Sequence, residues 1–218
     1  MPLKQYIIND IKPLNVNEKV SDVKLLFNEL TYSHIPVERD GVYQGCISEN
    51  DAHCFESQKT IADCNYAIEG FFVRSQTNWL DVLETFAQNS CNIMPVLDKH
   101  NNYLGYYELG DIIGLFNETP FFAEPGGILI IEKGITDYSF SEISQIVESN
   151  DAKILGAFIS KMEGGLIQVT LKIGNAGLND VVQTFRRYSY NIISGHEEDT
   201  YVENLKERSE YLKKYLDI

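Results

Sequence analysis

The chain is poor in positive charge. Its 218 residues hold 18 Lys and Arg against 32 Asp and Glu, a formal net charge of −14. Such a field repels phosphate backbones and anionic lipid, which argues against nucleic acid and membrane surfaces as partners. Long apolar runs are missing as well, none approaching the roughly 20 residues that span a bilayer. The first ten residues have no basic stretch followed by an apolar core and a small-residue cleavage site, so no secretory leader is expected. Only four cysteines occur, Cys46, Cys54, Cys64 and Cys91, and no two form a C-x-x-C pair. They read as buried or half-buried thiols in a reducing compartment, and a cytoplasmic location is expected. Catalytic signatures are also absent: there is no G-x-S-x-G, no H-E-x-x-H and no Walker-type phosphate loop. His53 and Cys54 adjoin, but neighbours on a helix point apart and make no dyad. The expectation is a protein that is not an enzyme.

What the sequence does contain is ordinary globular composition, 44% hydrophobic and 23% charged, and an internal repeat. Residues 14–37 align with 73–96 at an offset of 59: Asp22 falls on Asp81, Val23 on Val82, Phe27 on Phe86, and Pro36-Val37 on Pro95-Val96. One extra residue in the second copy makes the offset 60, and Tyr43 then falls on Tyr103, Gly45 on Gly105 and Asp51 on Asp111. Self-similarity over such a period signals a duplicated structural unit. Val20, Val23, Phe27 and Leu30 recur at helical spacing, as do Trp79, Val82, Leu83 and Phe86. Each helix leads into a short strand (Ile35–Glu38 or Met94–Asp98), a turn rich in Asp, Asn or Gly, a second strand (Val42–Ile47 or Tyr103–Tyr107) and a closing helix near Glu49–Glu56 or Gly110–Phe116. The predicted order is β-α-β-β-α, twice.

Each unit also carries a glycine before an apolar strand end, then a short polar stretch and an Asp opening the last helix. The first copy reads Gly45-Cys46-Ile47-Ser48-Glu49-Asn50-Asp51 and the second Gly105-Tyr106-Tyr107-Glu108-Leu109-Gly110-Asp111. With the Pro-Val strands, these motifs resemble the CBS-domain pair, or Bateman module, over about residues 1–118. On residues alone, Ser48 and Asp51 suit a helix cap and a first-turn carboxylate facing the helix dipole. The resemblance implies more: Asp51 accepting a ribose diol, with Ser48 and helix N–H groups holding phosphate. By the same resemblance the base lies near Val16, His34, Ile35, Ser75, Ile93 and Met94, and Asp111 serves a second site. Met94 also reads as core filler, and no second ligand is spaced with His34 for a metal. The implied partner is an adenosyl small molecule, AMP, ADP, ATP or S-adenosylmethionine, with or without Mg²⁺. The second copy departs from the pattern at Glu108, a carboxylate where phosphate oxygen is expected. Basic residues are scarce; Arg39 and Arg74 are the main cations expected near the sites, with Lys19 further off. Both points favour AMP-like or uncharged adenosyl ligands.

Two prolines and a Gly pair mark 119–127 as a linker. Beyond it, strand, helix, strand, turn, strand, helix and strand follow over 128–195, with Phe140, Ile143, Ile146 and Val147 on one helix face and Val181, Val182 and Phe185 on another. Ile167, Val169, Leu171 and Ile173 alternate with polar residues, as a half-buried strand requires. The order βαββαβ predicts a ferredoxin-like sheet with helices on one face. By topology and length this half resembles an ACT domain. That family commonly has Asp-x-x-Gly where the first strand meets the first helix, but here Asp137-Tyr138-Ser139-Phe140 lacks the glycine, which points away from amino-acid binding. Residues 196–218 read as a charged helical tail with Tyr201, Leu205, Arg208, Leu212 and Leu216 along one stripe. The fold class expected is α+β: tandem CBS-like repeats, a ferredoxin-like ACT-like domain and a C-terminal helix. The whole order is similar to acetoin-utilisation-type regulatory proteins. It implies a non-catalytic homodimeric sensor that signals by dimerisation or by docking to an unidentified regulated protein. The alternatives are a ligand-free oligomerisation scaffold and an amino-acid sensor working through the ACT-like domain.

Overall fold

A computed structural model describes residues 3–174 and 177–193. The chain divides into two compact units, Met1–Phe116 and Asn117–Ile218, of mixed α+β structure. No helix among the described residues is long and apolar enough to cross a membrane. The predicted tail helix, 196–218, lies outside the described residues.

Unit 1 repeats one plan. Its first copy runs β1 (Leu14–Asn15), α1 (Val20–Glu29), β2 (His34–Arg39), β3 (Val42–Ser48) and α2 (Glu49–Cys54). Its second runs β4 (Val73–Arg74), α3 (Trp79–Asn89), β5 (Ile93–Leu97), β6 (Tyr103–Glu108) and α4 (Leu109–Asn117). Each copy makes a three-stranded sheet whose first strand lies parallel to the second and whose hairpin is antiparallel. Even the bulges correspond, falling between Val37 and Glu38 in one hairpin and between Val96 and Leu97 in the other. The first hairpin turns on Asp40 and Gly41, both at positive φ, the conformation that matches strand twist. The second has a longer turn, in which the Asp98 carboxylate accepts from the His100 and Asn102 amides at 2.7 and 2.9 Å. That turn absorbs the extra residue of the second copy.

The apolar helix spacing serves as expected. Val23 and Phe27 pack with Ile35, Val37, Ile47 and Ala52 in one core, and Val82 and Phe86 with Met94, Val96, Tyr107, Ile112 and Leu115 in the other. The closing helix of the first copy is shorter than the sequence predicts. It stops at Cys54, and a 3-10 segment follows at Ile61–Ala67. That segment starts where Asp63 accepts from the Thr60 amide and hydroxyl at 2.9 and 2.8 Å, a local bond that satisfies an otherwise orphan N–H.

The glycines of the motif mark where each copy is crossed by the chain segment that precedes the other. Glu69, ahead of the second copy, exchanges two backbone bonds of 2.8 Å with Cys46 of the first; Ile8, ahead of the first copy, does the same with Tyr106 of the second at 2.9 Å. Gly45 and Gly105 sit at φ +145° and +140°, and a Cβ there would lie 2.6 Å from the Glu69 carbonyl oxygen and 2.2 Å from that of Ile8. Only glycine permits both the angle and the approach.

In unit 2, residues 119–127 are not the irregular linker their prolines predict. Thr119 leads into a short helix, α5 (Pro120–Ala123), with Pro at its first turn, the position where a missing N–H costs nothing. Its Phe121 ring stacks 5.8 Å from Phe158. Then come β7 (Gly127–Gly134), α6 (Phe140–Glu148), β8 (Lys153–Glu163), β9 (Leu166–Gly174), α7 (Leu178–Arg187) and β10 (Asn191–Ile192). The strands lie in the order β10-β7-β9-β8 with every neighbour antiparallel. Leu129, Ile131, Val169, Leu171 and Ile173 turn one sheet face to Ile143, Ile146, Val147, Val181, Val182 and Phe185 of α6 and α7.

Candidate functional site

The two repeats of unit 1 meet at a junction that carries the motif residues. At its centre stand Ser33 and Asn92, which occupy the same position in the two copies, 59 residues apart. The Ser33 amide donates to Asn92 Oδ1 at 2.8 Å, and the Asn92 amide to Ser33 Oγ at 3.0 Å. Asn92 Nδ2 also donates to the Thr31 carbonyl at 2.8 Å. Each carbonyl in turn starts a closing helix: Glu49 N–H donates to Ser33 O and Leu109 N–H to Asn92 O, both at 2.9 Å. The pair therefore acts as an internal pseudo-two-fold contact. Neither residue was singled out from the sequence, though their equal repeat position was a usable signal.

Strand alternation sorts the predicted site residues. Ile35 pairs in register with Ile47, and Met94 with Tyr107, and all four belong to the cores beneath the helices. The next residue back in each strand faces the other way, towards the junction: His34 opposite Ser48, and Ile93 opposite Glu108. Val16 is also in the first core, its carbonyl accepting from the Ala62 amide at 2.8 Å. Ser75, its counterpart, is half-buried and donates its amide to Leu97 O at 3.3 Å. Asp111 lies exposed in the first turn of α4. The structure thus gathers His34, Ser48 and Asp51 into one group, and leaves Val16, Ile35 and Met94 as core side chains.

On the first side of the junction Ser48 caps α2. Its oxygen accepts from the Asp51 amide at 3.1 Å and its hydroxyl donates to Asp51 Oδ2 at 2.8 Å. Among the described residues its second carboxylate oxygen has no hydrogen-bond partner, and Asp51 is half-buried. Nearby, His34 is almost wholly buried. One ring nitrogen lies 2.8 Å from Ser33 Oγ and the other 3.3 Å from Glu69 Oε1, and the ring packs edge-on against Phe71 with centroids 5.2 Å apart. Cys46 and Cys91 are buried here as well, and burial pushes the Cys91 thiol up to about 12 and raises that of Cys46. Both stay protonated at neutral pH and are poor nucleophiles.

The second side is built differently. The Tyr32 hydroxyl donates to Glu108 Oε1 at 2.6 Å and lies 3.0 Å from the Tyr106 hydroxyl, which donates to Asp10 Oδ1 at 2.8 Å. The two rings meet edge to face at 5.5 Å. Burial, then the bond to Glu108, raises the Tyr32 hydroxyl above the usual phenol range; burial, then contact with Tyr32 and Asp10, does so for Tyr106. Both phenols therefore remain donors, committed to carboxylates. In repeat positions, Cys91 and Cys46 of the first side become Tyr32 and Tyr106 here, and Ser48 becomes Glu108. The second side thus has two phenols where the first has two thiols, and a carboxylate where the first has the Ser48 hydroxyl. Arg74 is not part of either group: its guanidinium bonds the Asp98 carbonyl and, at 2.6 Å, Asn101 Oδ1, and lies over Phe72.

No family model matches the chain, and no curated protein matches it. Solved structures do. A CBS domain pair/ACT domain protein of Thermotoga maritima is 17% identical over 54% of this chain and 98% of that one, with a TM-score of 0.49. The CBS domains of a transcriptional regulator from Streptococcus pneumoniae are 19% identical over 52% of this chain and 98% of theirs, with a TM-score of 0.47. CBSX2 in complex with AMP is 16% identical over 52% of this chain and 94% of its own, with a TM-score of 0.45. Each likeness reaches about half of the chain.

Proposed function

We propose that the chain is a non-catalytic cytoplasmic regulatory protein: a CBS-like repeat pair that binds an adenosine-containing ligand on its first side, joined to an ACT-like unit that passes the change on by pairing copies of the chain or docking a regulated protein. The ligand class follows from the motif resemblance. The choice of side rests on one observation: among the described residues one carboxylate oxygen of the half-buried Asp51 has no partner beside the Ser48 cap, whereas Glu108 is already tied to Tyr32. A carboxylate with free lone pairs suits a ribose diol, while the Glu49 and Asp51 N–H groups at the start of α2 are already engaged by Ser33 O and Ser48 Oγ. The net charge of −14 favours a ligand with one phosphate or none, and Mg²⁺ would have to accompany a polyphosphate. Signalling then requires only that the ligand bind one arrangement of the repeats better than another.

The test is thermal unfolding with AMP, ADP, ATP and S-adenosylmethionine, each with and without Mg²⁺. A ligand at 100 times its dissociation constant stabilises by about 2.7 kcal/mol. The expected outcome is a rise in Tm with at least one ligand that Asp51→Ala abolishes. A panel with no effect would favour a second reading, a ligand-free scaffold. That reading has its own support, since His34–Glu69 and Tyr32–Glu108 contacts already tie the junction together.

A further inference from the structure

We propose that the tail of this same chain, as a helix over 201–216, covers the open face of the unit 2 sheet, with Arg208 set on Glu132. α6 and α7 pack on one face of that sheet. On the other, Ile128, Ile130 and Glu132 of β7 lie opposite Lys172, Thr170 and Gln168 of β9, and Gly134 lies opposite Leu166. Phe121 of α5 reaches Gly156 and Phe158 on the β8 side of this face. The apolar side chains towards β10 stay open: Ile128 is 47% exposed, Leu166 42% and Ile193 46%. An apolar sheet face needs an element packed against it.

The exit of the chain points to the tail as that element. Asn191 lies opposite Glu132 on the open face and Ile192 packs with the helix-side core, so alternation returns Ile193 to the open face. Its amide donates to Ile130 O at 2.9 Å. β10 runs antiparallel to β7, so the chain departs towards the Ile128 end. Ser194-Gly195 then suits a turn, and Thr200-Tyr201-Val202-Glu203 has the pattern of a capping box, which starts a helix at Tyr201. That helix returns along β7 with Tyr201 and Leu205 over Ile128 and Ile193, and with Leu212 and Leu216 over Leu166.

Length and charge both fit. Tyr201 to Leu216 spans about 22 Å as a helix, and Ile128 to Gly134 spans about 20 Å as a strand. Arg208 is the one base within the stripe of Tyr201, Leu205, Leu212 and Leu216. Glu132 is the acid in the middle of the face. It accepts from Gln168 at 2.9 Å and Asn191 at 3.5 Å and has no cation partner among the described residues, whereas Lys161 and Glu163 pair with each other. A base and an acid therefore stand near the centres of two apolar strips of equal length. An ion pair there fixes the register of the helix on the sheet.

The inference needs neither a ligand nor a second copy, so it stands or falls apart from the proposed function. Hydrogen exchange on the full chain reads it. Amides 202–216 should exchange about a hundredfold slower than in an unfolded chain. Glu132→Arg and Arg208→Glu should each speed that exchange about tenfold, and the double variant should return it to the parental rate. Arg208→Glu leaves the sheet untouched, so it tests the contact even where Glu132→Arg disturbs Gln168 and Asn191. Glu210→Gln, on the side of the helix away from the stripe, should change nothing. A parental tail that exchanges like unfolded chain, or a double variant as fast as either single one, overturns the proposal. The direction is tested in a Cys54→Ala background, which removes the exposed native thiol. There a short bismaleimide should link Leu166→Cys to Leu212→Cys within one chain about fivefold more than to Tyr201→Cys. Equal linkage at both positions overturns the register. Linkage that yields dimers also overturns the proposal, and assigns the face to the tail of a second copy.

Discussion

Ser48 and Glu108 occupy the same place in the two repeats, each ending a hairpin and lying opposite the first residue of the preceding strand. Ser48 turns inward to cap its own helix and leaves an acid, Asp51, open beside it. Glu108 reaches across to the other copy and is held by Tyr32. The two copies share their strand pairing, their bulge and the crossed glycine, yet Cys46 and Cys91 stand on one side of the junction where Tyr106 and Tyr32 stand on the other. Duplication fixes geometry, and a handful of side chains then decides which acid of the junction is held by a tyrosine.

The comparison can be attacked first through what the copies share. Gly45→Ala and Gly105→Ala should each cost about 3 kcal/mol in urea unfolding, with Gly105 the worse because its crossing carbonyl is nearer. Gly70→Ala, whose Cβ would meet nothing within 4 Å, is the control; equal losses at all three positions would mean the crossings are loose. Next come the differences. Ser48→Glu should weaken the binding of any adenosine ligand found in the thermal panel about thirtyfold, or about 2 kcal/mol, by calorimetric titration. Glu108→Ser should leave that first-side affinity intact, and equal effects of the two variants would erase the proposed asymmetry. The shared centre gives a smaller effect. Asn92→Ala removes bonds to the Ser33 amide and the Thr31 carbonyl and should cost about 1.5 kcal/mol in the same unfolding experiment.

The smallest effect separates the acid–phenol pair of the junction from one in unit 2. There Glu142 accepts from both Lys133 at 2.8 Å and Tyr190 at 2.7 Å, and the lysine first, then the phenol, holds its carboxyl below the usual range. A carboxyl depressed on folding stabilises at pH values above its unfolded pKa, and the benefit is lost as the pH falls through the folded value. Glu142→Gln should therefore cost about 1 kcal/mol at pH 7, with the gap from the parent closing below about pH 3. A gap independent of pH would show that shape, and not charge, matters at this position.

Much of this was legible in the chain. Val23 and Phe27, and Val82 and Phe86, announce helices by spacing and meet their cores as that spacing requires. The two Gly motifs located the crossings without saying what crosses. Ile8 and Glu69 had no signal, because an isolated bridge between distant segments has no period. Strand parity was the costliest gap. Reading His34-Ile35 and Ile93-Met94 as joint pocket residues overlooks that neighbours on a strand face opposite ways, so Ile35 and Met94 went to the cores. Tyr32 lies in a loop, where nothing local marks a contact with a residue 76 positions away.

By itself the sequence determined the duplicated β-α-β-β-α order, the hairpin turns and the glycine positions, because these depend on local backbone preference and periodic burial. The strand order of unit 2, the meeting of Ser33 with Asn92, and the contrast between a capped Ser48 and a captured Glu108 were decided only by tertiary structure. Each is a contact between groups far apart in the chain, and such contacts are selected by packing and register, which no short window of sequence contains.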